Sequence, residues 1–295
     1  MSILVDKTTR IICQGFTSEQ ATFHCEQALA CGTNIVGGVT VGHGGQTHLG
    51  RPVFDTVAEA VAETRPDASL IFMPPASAAD AIMEAAEAGI GLIVCVTENI
   101  PLRDIVHVRR ALQGSGIRLV GPNTPGIITP GEAKMGLLPA SLFKPGSIGI
   151  ISRSSTLLLE AAMQITSLGL GQSTCVGIGG DRVIGIDYVD CLRLFLSDPQ
   201  TEGILLIGEI GGALEEKAAA FLAENAIAKP VVAYIAGLHA PAGRRLGHAG
   251  ARIAAGHGDA ASKIDALRDA GVIIAETPDT ISLTMQRALH LPARN

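Results

Sequence analysis

A histidine set among glycines is the first place in this chain where chemistry can be read. In the segment Gly237–Gly250, which runs GLHAPAGRRLGHAG, His248 sits between small residues with Arg244 and Arg245 just before it. Imidazole is a good nucleophile near neutral pH, and small neighbours let a bulky phosphoryl group approach. Such a residue can attack and carry a phosphoryl group. A solvated loop histidine has the same spacing, so position alone leaves both readings open. Glu209 closes an apolar stretch, where a carboxylate can orient one ring nitrogen and leave the other to attack, or simply cap a helix. Ser154, Ser155 and Thr156 open a helix whose free N–H groups favour an anion, yet plain N-cap residues look the same. The turn Gly15–Gln20 lacks a full G-x-G-x-x-G spacing and reads equally as a phosphate-binding turn or a plain strand-to-helix connection.

The elements that must hold these residues alternate strand, turn and helix along the chain. Arg10–Gln14 predicts a strand. Thr17 followed three residues on by Gln20 has the spacing of a capping box, opening a helix to about Cys31. Strands are predicted over Asn34–Gly38, Ser69–Met73, Gly91–Val96 and Ile117–Val120, with helices over Thr56–Thr64, Ser77–Ala88 and Leu102–Gln113. Between Gly121 and Gly146 the chain turns into a Pro/Gly-punctuated stretch, the clearest domain boundary. Alternation resumes with strands over Ser147–Ser152, Thr174–Gly177, Gly203–Ile207, Pro230–Ile235 and Val272–Ala275. Helices are predicted near Ser155–Ser167, Tyr188–Leu196, Leu214–Asn225 and Ala260–Ala270, with a last one to about Leu291. Apolar strands alternating with helices imply parallel sheets covered on both faces, hence an α/β protein of two doubly wound domains. The expected division is a Rossmann-like domain over 1–121, a linker over 122–146 and a flavodoxin-like domain over 147–295.

Composition narrows the function classes. The 295 residues are 47% hydrophobic and 17% charged, enough to bury a core and too apolar for a disordered chain. A net charge of −6, no Lys/Arg run and only 3% aromatics leave neither a basic patch nor a stacking platform for nucleic acid. Six cysteines without a C-x-x-C or metal-like spacing read as reduced, mostly buried thiols, and no bound metal is expected. The N-terminal stretch reaches Asp6 and Lys7 too early for a signal-peptide core, and no apolar run is long enough to span a membrane. A cytoplasmic location, with no membrane and no nucleic-acid partner, is the expectation.

Taken together, the strings ICQGFT, TFH, VGGVT, THLG, GPN-PG-ITPGE, GQSTCVGIGGD, DPQTE, IGEIGG and GHAG are highly specific. Over essentially its whole length the chain resembles the α subunit of succinyl-CoA synthetase (succinate–CoA ligase), an enzyme of the tricarboxylic acid cycle. The resemblance implies an N-terminal CoA-binding domain and a C-terminal ligase domain with a phosphorylated histidine. It also implies an ATP-grasp β subunit as partner, holding ATP or GTP with Mg; the absence of a G-x-x-x-x-G-K-[ST] loop here agrees with nucleotide binding elsewhere. The activity implied is that of an NDP-forming acid–CoA ligase using a small carboxylic acid, with acyl phosphate and phosphohistidine intermediates. Carried onto matching positions, the resemblance makes His248 the phosphorylated residue and Glu209 its contact. Thr17, Ser18, Glu19, Gln20, His43, Val96, Thr97 and Glu98 fall at the CoA site, and Ser154, Ser155 and Thr156 at the phosphate site. Leu159, Asn123, Thr124 and Pro125 fall beside the acyl substrate.

Departures from the family pattern surround the CoA and acyl sites. Ser18 and Ala21 replace two glycines of the first turn, and Glu19 puts a carboxylate where CoA phosphates approach. His43 stands for the usual lysine, Ser155 for a glycine, Leu159 for a tyrosine and Thr124 for a cysteine, while Gly180-Asp-Arg-Val-Ile-Gly185 replaces Gly-Asp-Pro-Ile-Pro-Gly. Two further readings follow. One is a paralogous ligase with another acid such as malate, or with a non-CoA nucleophile such as an amine as acceptor. The other is a non-catalytic CoA-binding or regulatory subunit, against which the intact Gly-His-Ala-Gly loop argues. His24, His107 and His290 fall in predicted helices, and His48, His239 and His257 in loops; none is assigned a role. Arg244 and Arg245 either steer phosphate or are surface charge.

Overall fold

The computed structural model describes residues 3–225, 228–241, 243–244, 246–253 and 258–290. His257 and Arg245, both weighed above, lie outside the described residues. The chain divides into two units: Leu4–Ala140 with Val183–Gly185, and Ser141–Arg182 with the stretch from Ile186 onward.

The first unit contains strands β1 (Ile11–Gln14), β2 (Ile35–Val39), β3 (Thr47–His48), β4 (Arg51–Phe54), β5 (Ala68–Ile71), β6 (Leu92–Cys95) and β7 (Arg118–Val120). They form one sheet in the order β3-β4-β2-β1-β5-β6-β7, parallel apart from the antiparallel β3–β4 pair. Helices α1 (Glu19–Ala30), α2 (Val57–Thr64), α3 (Pro75–Glu87) and α4 (Leu102–Leu112) make the crossovers. The strands β1, β5 and β6 are buried at every position, as a sheet covered on both faces requires. From β1 the chain builds outward through β2, then crosses back to β5 on the other side. That reversal is the Rossmann-like switch point, and it opens a crevice at the carboxyl ends of β1 and β5.

Several local expectations shift. The N-cap of α1 is Ser18, whose hydroxyl accepts from the Ala21 N–H, and not Thr17. Thr17 instead turns its hydroxyl to Thr40 at 3.3 Å. The β3–β4 hairpin occupies residues expected as loop. Leu49 and Gly50, at φ 51° and 69°, make a two-residue turn of the kind normally signalled by Asn-Gly, so the leucine hid it. Helix α3 begins earlier than expected because Pro75 suits the first helical position. The stretch expected as a linker carries an antiparallel hairpin, β8 (Gly126–Thr129) and β9 (Ala133–Gly136). Lys134 on β9 is buried, with its ammonium 3.4 Å from the His24 carbonyl and 3.3 Å from Gln27 Oε1; burial pulls it below the usual lysine range.

The second unit has strands β10 (Pro145–Ser152), β11 (Gln172–Gly177), β12 (Gly203–Glu209), β13 (Val231–Ala236) and β14 (Ile273–Ile274). Their order is β14-β13-β12-β10-β11, all parallel, which is the flavodoxin-like order. Helices α5 (Ser155–Ser167), α6 (Tyr188–Ser197), α7 (Leu214–Glu224), α8 (Ala260–Asp269) and α9 (Ile281–Leu289) flank them. Among the described residues no helix is long and apolar enough to cross a membrane.

Beneath the carboxyl end of β12 lies an ion pair with no solvent access. Lys263 on α8 and Glu215 on α7 are both 0% exposed and hydrogen-bonded to each other. Lys263 also donates to Glu216 Oε2 at 3.0 Å and to the Gly212 carbonyl at 3.1 Å. Glu215 Oε1 accepts the backbone N–H of Glu209 at 3.1 Å, so the pair pins the end of β12. Removing one partner strands the other's charge, which typically costs about 3–5 kcal/mol, whereas replacing both by apolar residues costs far less. Lys263→Met should therefore lower the urea midpoint sharply, and adding Glu215→Leu should restore much of the loss. Equal losses in the single and double variants would contradict this account of the pair.

Candidate functional site

In the first unit, the parallel strands bring several expected CoA contacts to one sheet edge. Thr17, Ser18, Glu19 and Gln20 follow β1, His43 follows β2, and Val96, Thr97 and Glu98 follow β6. Gly15, at φ +75°, makes the tight exit from β1; a Cβ there would lie 2.7 Å from the Phe72 carbonyl oxygen. Ser18, Glu19, Gln20, His43 and Glu98 are exposed, Thr17 and Thr97 half-buried and Val96 buried. Thr97 Oγ1 donates to the Met73 carbonyl at 2.6 Å, tying the β6 exit to that of β5. His48 Nε2 meets Thr22 Oγ1 at 2.9 Å, and its ring stands edge-on to Phe16. The loop carrying His43 is held by Asp55, which accepts from the N–H groups of Gly42 and Gly44 at 2.6 and 3.0 Å. Asn123 is half-buried, whereas Thr124 and Pro125 are buried, and Thr124 Oγ1 accepts the Gly126 N–H at 2.8 Å. These three belong to the first unit and Leu159 to the second.

In the second unit, adjacency of β11, β10, β12 and β13 decides what meets at the carboxyl edge. The exit of β12 presents Glu209. The loop after β13 carries His248, and its Nδ1 lies 2.8 Å from Glu209 Oε2. An ionised carboxylate can only accept, so in this pair Nδ1–H is the donor to Glu209 and a neutral ring keeps its lone pair on Nε2. The His248 side chain is 28% exposed and that of Glu209 10%, so the ring is reachable while its partner is shielded. Glycines make this approach possible. A Cβ on Gly180 would lie 2.5 Å from His248 Cδ2 and 2.8 Å from Nε2. The Ala251 N–H donates to the His248 carbonyl at 3.1 Å, and Arg182 Nε donates to the Ala249 carbonyl at 2.9 Å.

Ser154, Ser155 and Thr156 stand at the exit of β10. Ser154 is the N-cap of α5, its hydroxyl accepting from the Leu157 N–H at 3.2 Å and meeting Thr156 Oγ1 at 3.2 Å. Leu159 lies half-buried on α5, one position beyond the buried Leu158. Arg244 and His239 are exposed. Sequence reasoning passed over three residues here: Arg153, Glu215 and Lys263. Arg153 is 3% exposed, with its Nε 3.4 Å from Glu209 Oε1. Its signal was an arginine directly after the predicted strand Ser147–Ser152, at the carboxyl edge of a buried sheet where a solvated charge is out of place. Glu215 and Lys263 fall on helices that look ordinarily polar, and nothing local marked them as buried. Among the described residues, no cluster of His, Cys, Asp and Glu is arranged to hold a metal ion.

Two family profiles match the chain: one described as a CoA binding domain over residues 6–99, the other as CoA-ligase over 151–273. The α subunit 2 of an ADP-forming succinate–CoA ligase from Archaeoglobus fulgidus is 54% identical over 278 residues, covering 94% of this chain and 96% of that one. The corresponding α subunit from Aquifex aeolicus is 52% identical over 293 residues, covering 99% and 96%. Among solved structures, ATP citrate lyase of Methanosaeta concilii in complex with (3S)-citryl-CoA superposes with a TM-score of 0.87 at 25% identity over 97% of this chain. This chain spans about half (50%) of that lyase's length. A dinucleotide-forming acetyl-coenzyme A synthetase of Ca. Korarchaeum cryptofilum shares the fold, with a TM-score of 0.74 at 19% identity over 95% of this chain and 59% of its own. With sequence, fold and both domains in agreement, the chain belongs to the succinate–CoA ligase α-subunit family.

Proposed function

We propose that this chain is the α subunit of an NDP-forming acid–CoA ligase that activates succinate, with His248 as a transient phosphoryl carrier. The observation that carries the reading is the 2.8 Å contact between His248 Nδ1 and Glu209 Oε2 on a glycine-lined loop. With Nδ1–H facing a carboxylate, Nε2 is the nucleophile. It attacks phosphorus, the P–O bond to the departing nucleoside diphosphate breaks, and an N–P bond forms. The ring becomes cationic while still bound to Glu209, whose negative charge offsets it. A carboxylate oxygen of the acid then takes the phosphoryl group, the N–P bond breaks, and the CoA thiolate displaces phosphate from the acyl carbon. Because a phosphoramidate and an acyl phosphate both have high transfer potential, the sequence runs in either direction.

The nucleotide, ATP or GTP with Mg, belongs in this reading to an ATP-grasp β subunit, and the small carboxylic acid is the second substrate. CoA phosphates approach the exposed turn after β1, where the start of α1 favours an anion. Ser154, Ser155 and Thr156 supply N–H and hydroxyl donors to the phosphate from the start of α5, beside the β12 exit. Leu159 and the Asn123–Pro125 segment are the proposed acyl neighbours, with Asn123 the more accessible of its segment. Relatives near half identity are named as ADP-forming succinate–CoA ligase α subunits, and this favours CoA over another acceptor.

Co-expressed with its β subunit and given γ-labelled ATP, the unmutated chain should take up acid-labile label and His248→Ala should take up none. Equal labelling of His248→Ala would contradict the assignment. Gly180→Ala, which pushes a methyl group against the ring, should slow labelling by about tenfold or more while the fold is kept. In calorimetry CoA should bind the complex, and Glu19→Gln should tighten binding about threefold at low salt, as removal of one like charge predicts. No detectable CoA binding would instead support the non-CoA acceptor.

A further inference from the structure

Arg153 leaves β10 between two neighbours, with β12 on one side and β11 on the other. Its guanidinium spans them. Nη2 donates to the Gly180 carbonyl at 3.2 Å and to the Asp181 carbonyl at 3.0 Å, and Nε is 3.4 Å from the Gly179 carbonyl. On the other side Nε is 3.4 Å from Glu209 Oε1. A Cβ on Gly250 would fall 2.7 Å from Nη2, so the histidine loop also rests on this group. The residue is 3% exposed. Nε and Nη2 of Arg153 are therefore committed to protein partners.

Glu209 carries the clue to what it does. Its two oxygens are treated differently: Oε2 receives His248, whereas Oε1 is buried without a hydrogen bond. Burying a carboxylate oxygen with no donor is unfavourable unless opposite charge lies close by. Arg153 is the cation paired with it. Lys263, the other buried cation nearby, is already engaged by Glu215 and Glu216. Glu215 adds a negative charge close by, since it accepts the Glu209 backbone N–H.

We propose that Arg153 is a positioning residue that sets the tautomer of His248 through Glu209. Its ion pair holds the Glu209 carboxylate against the ring, and because a carboxylate can only accept, the imidazole proton stays on Nδ1 and Nε2 keeps the lone pair that attacks phosphorus. Without that ion pair the carboxylate can turn away from Nδ1, the ring proton exchanges through solvent onto Nε2, the tautomer an unpartnered imidazole favours, and the nucleophilic lone pair is lost. The consequence for catalysis rests on the phosphohistidine reading; the tautomer itself exists before any phosphate arrives.

The test is long-range proton–nitrogen NMR on the full, unphosphorylated chain with nitrogen-labelled histidine, using His248→Gln to assign the signals. The unmutated protein should show a protonated Nδ1 and a lone-pair Nε2. Arg153→Gln, which keeps donor groups for the loop carbonyls but loses the charge, should show the reverse. Arg153→Lys, which keeps the charge but loses the fork, should retain the native pattern. In the complex with β subunit, Arg153→Gln should slow labelling from ATP about a hundredfold, and Arg153→Lys much less. A native pattern in Arg153→Gln, or a reversed one in Arg153→Lys, overturns the proposal. Should Arg153→Gln fail to fold, Arg153→Met gives the same reading. If His248→Ala is labelled like the unmutated chain, the carrier role falls while the tautomer result stands by itself.

Discussion

A buried carboxylate held between a guanidinium and an imidazole is the constraint around which the second unit is arranged. Glu209 is 8% exposed, and burying its charge is unfavourable unless opposite charge and donors surround it. The sheet supplies these from adjacent strands: Arg153 from β10, His248 from the loop after β13, and the buried Lys263–Glu215 pair under the backbone of Glu209 itself. Because β10 and β13 both border β12, the three groups converge at one edge by topology alone. What remains for the loops is closeness, which glycines provide. Gly180 and Gly250 leave room for the ring and the guanidinium, and Gly211 at φ +91° lets the turn after β12 run against the histidine loop.

The first unit solves a different problem, the approach of a polyanion to backbone. Its switch point places the β1 turn beside the exits of neighbouring strands, and the helix that follows offers free N–H groups. Ser18 takes one of those for its own cap, and Glu19 adds a carboxylate at the same place. Both changes leave helix α1 well formed, since an acidic residue suits the N-terminal end of the helix dipole. In the proposed reading they act on the ligand and leave the fold intact. On that reading, a chain near 54% identity to a ligase α subunit keeps its scaffold while the turn that would meet CoA phosphates carries Ser18 and Glu19.

Much of this was legible in the sequence because the strands are short, apolar and punctuated. Arg10–Gln14, Gly91–Val96 and Gly203–Ile207 announce parallel strands, and the two doubly wound units follow from their alternation with helices. Glu209 and His248 were legible as well, one at a strand exit and the other among glycines. What stayed hidden depends on long-range packing. The β3–β4 hairpin turns on Leu49 at a positive φ, which no local rule favours. The β8–β9 hairpin sits inside a stretch whose prolines and glycines read as connector. Lys134, Lys263 and Glu215 look like surface charges until helix and strand close over them. Arg153 was visible only as an oddity, and its meaning required knowing which strands flank β10.

The most direct measurement is a crystal structure of the chain after phosphorylation in complex with its β subunit. Phosphorus covalently bound to His248 Nε2, with Nδ1 still facing Glu209 Oε2, is the outcome this account predicts. Phosphorus on Nδ1, on the Glu209 carboxylate or on another side chain would contradict it.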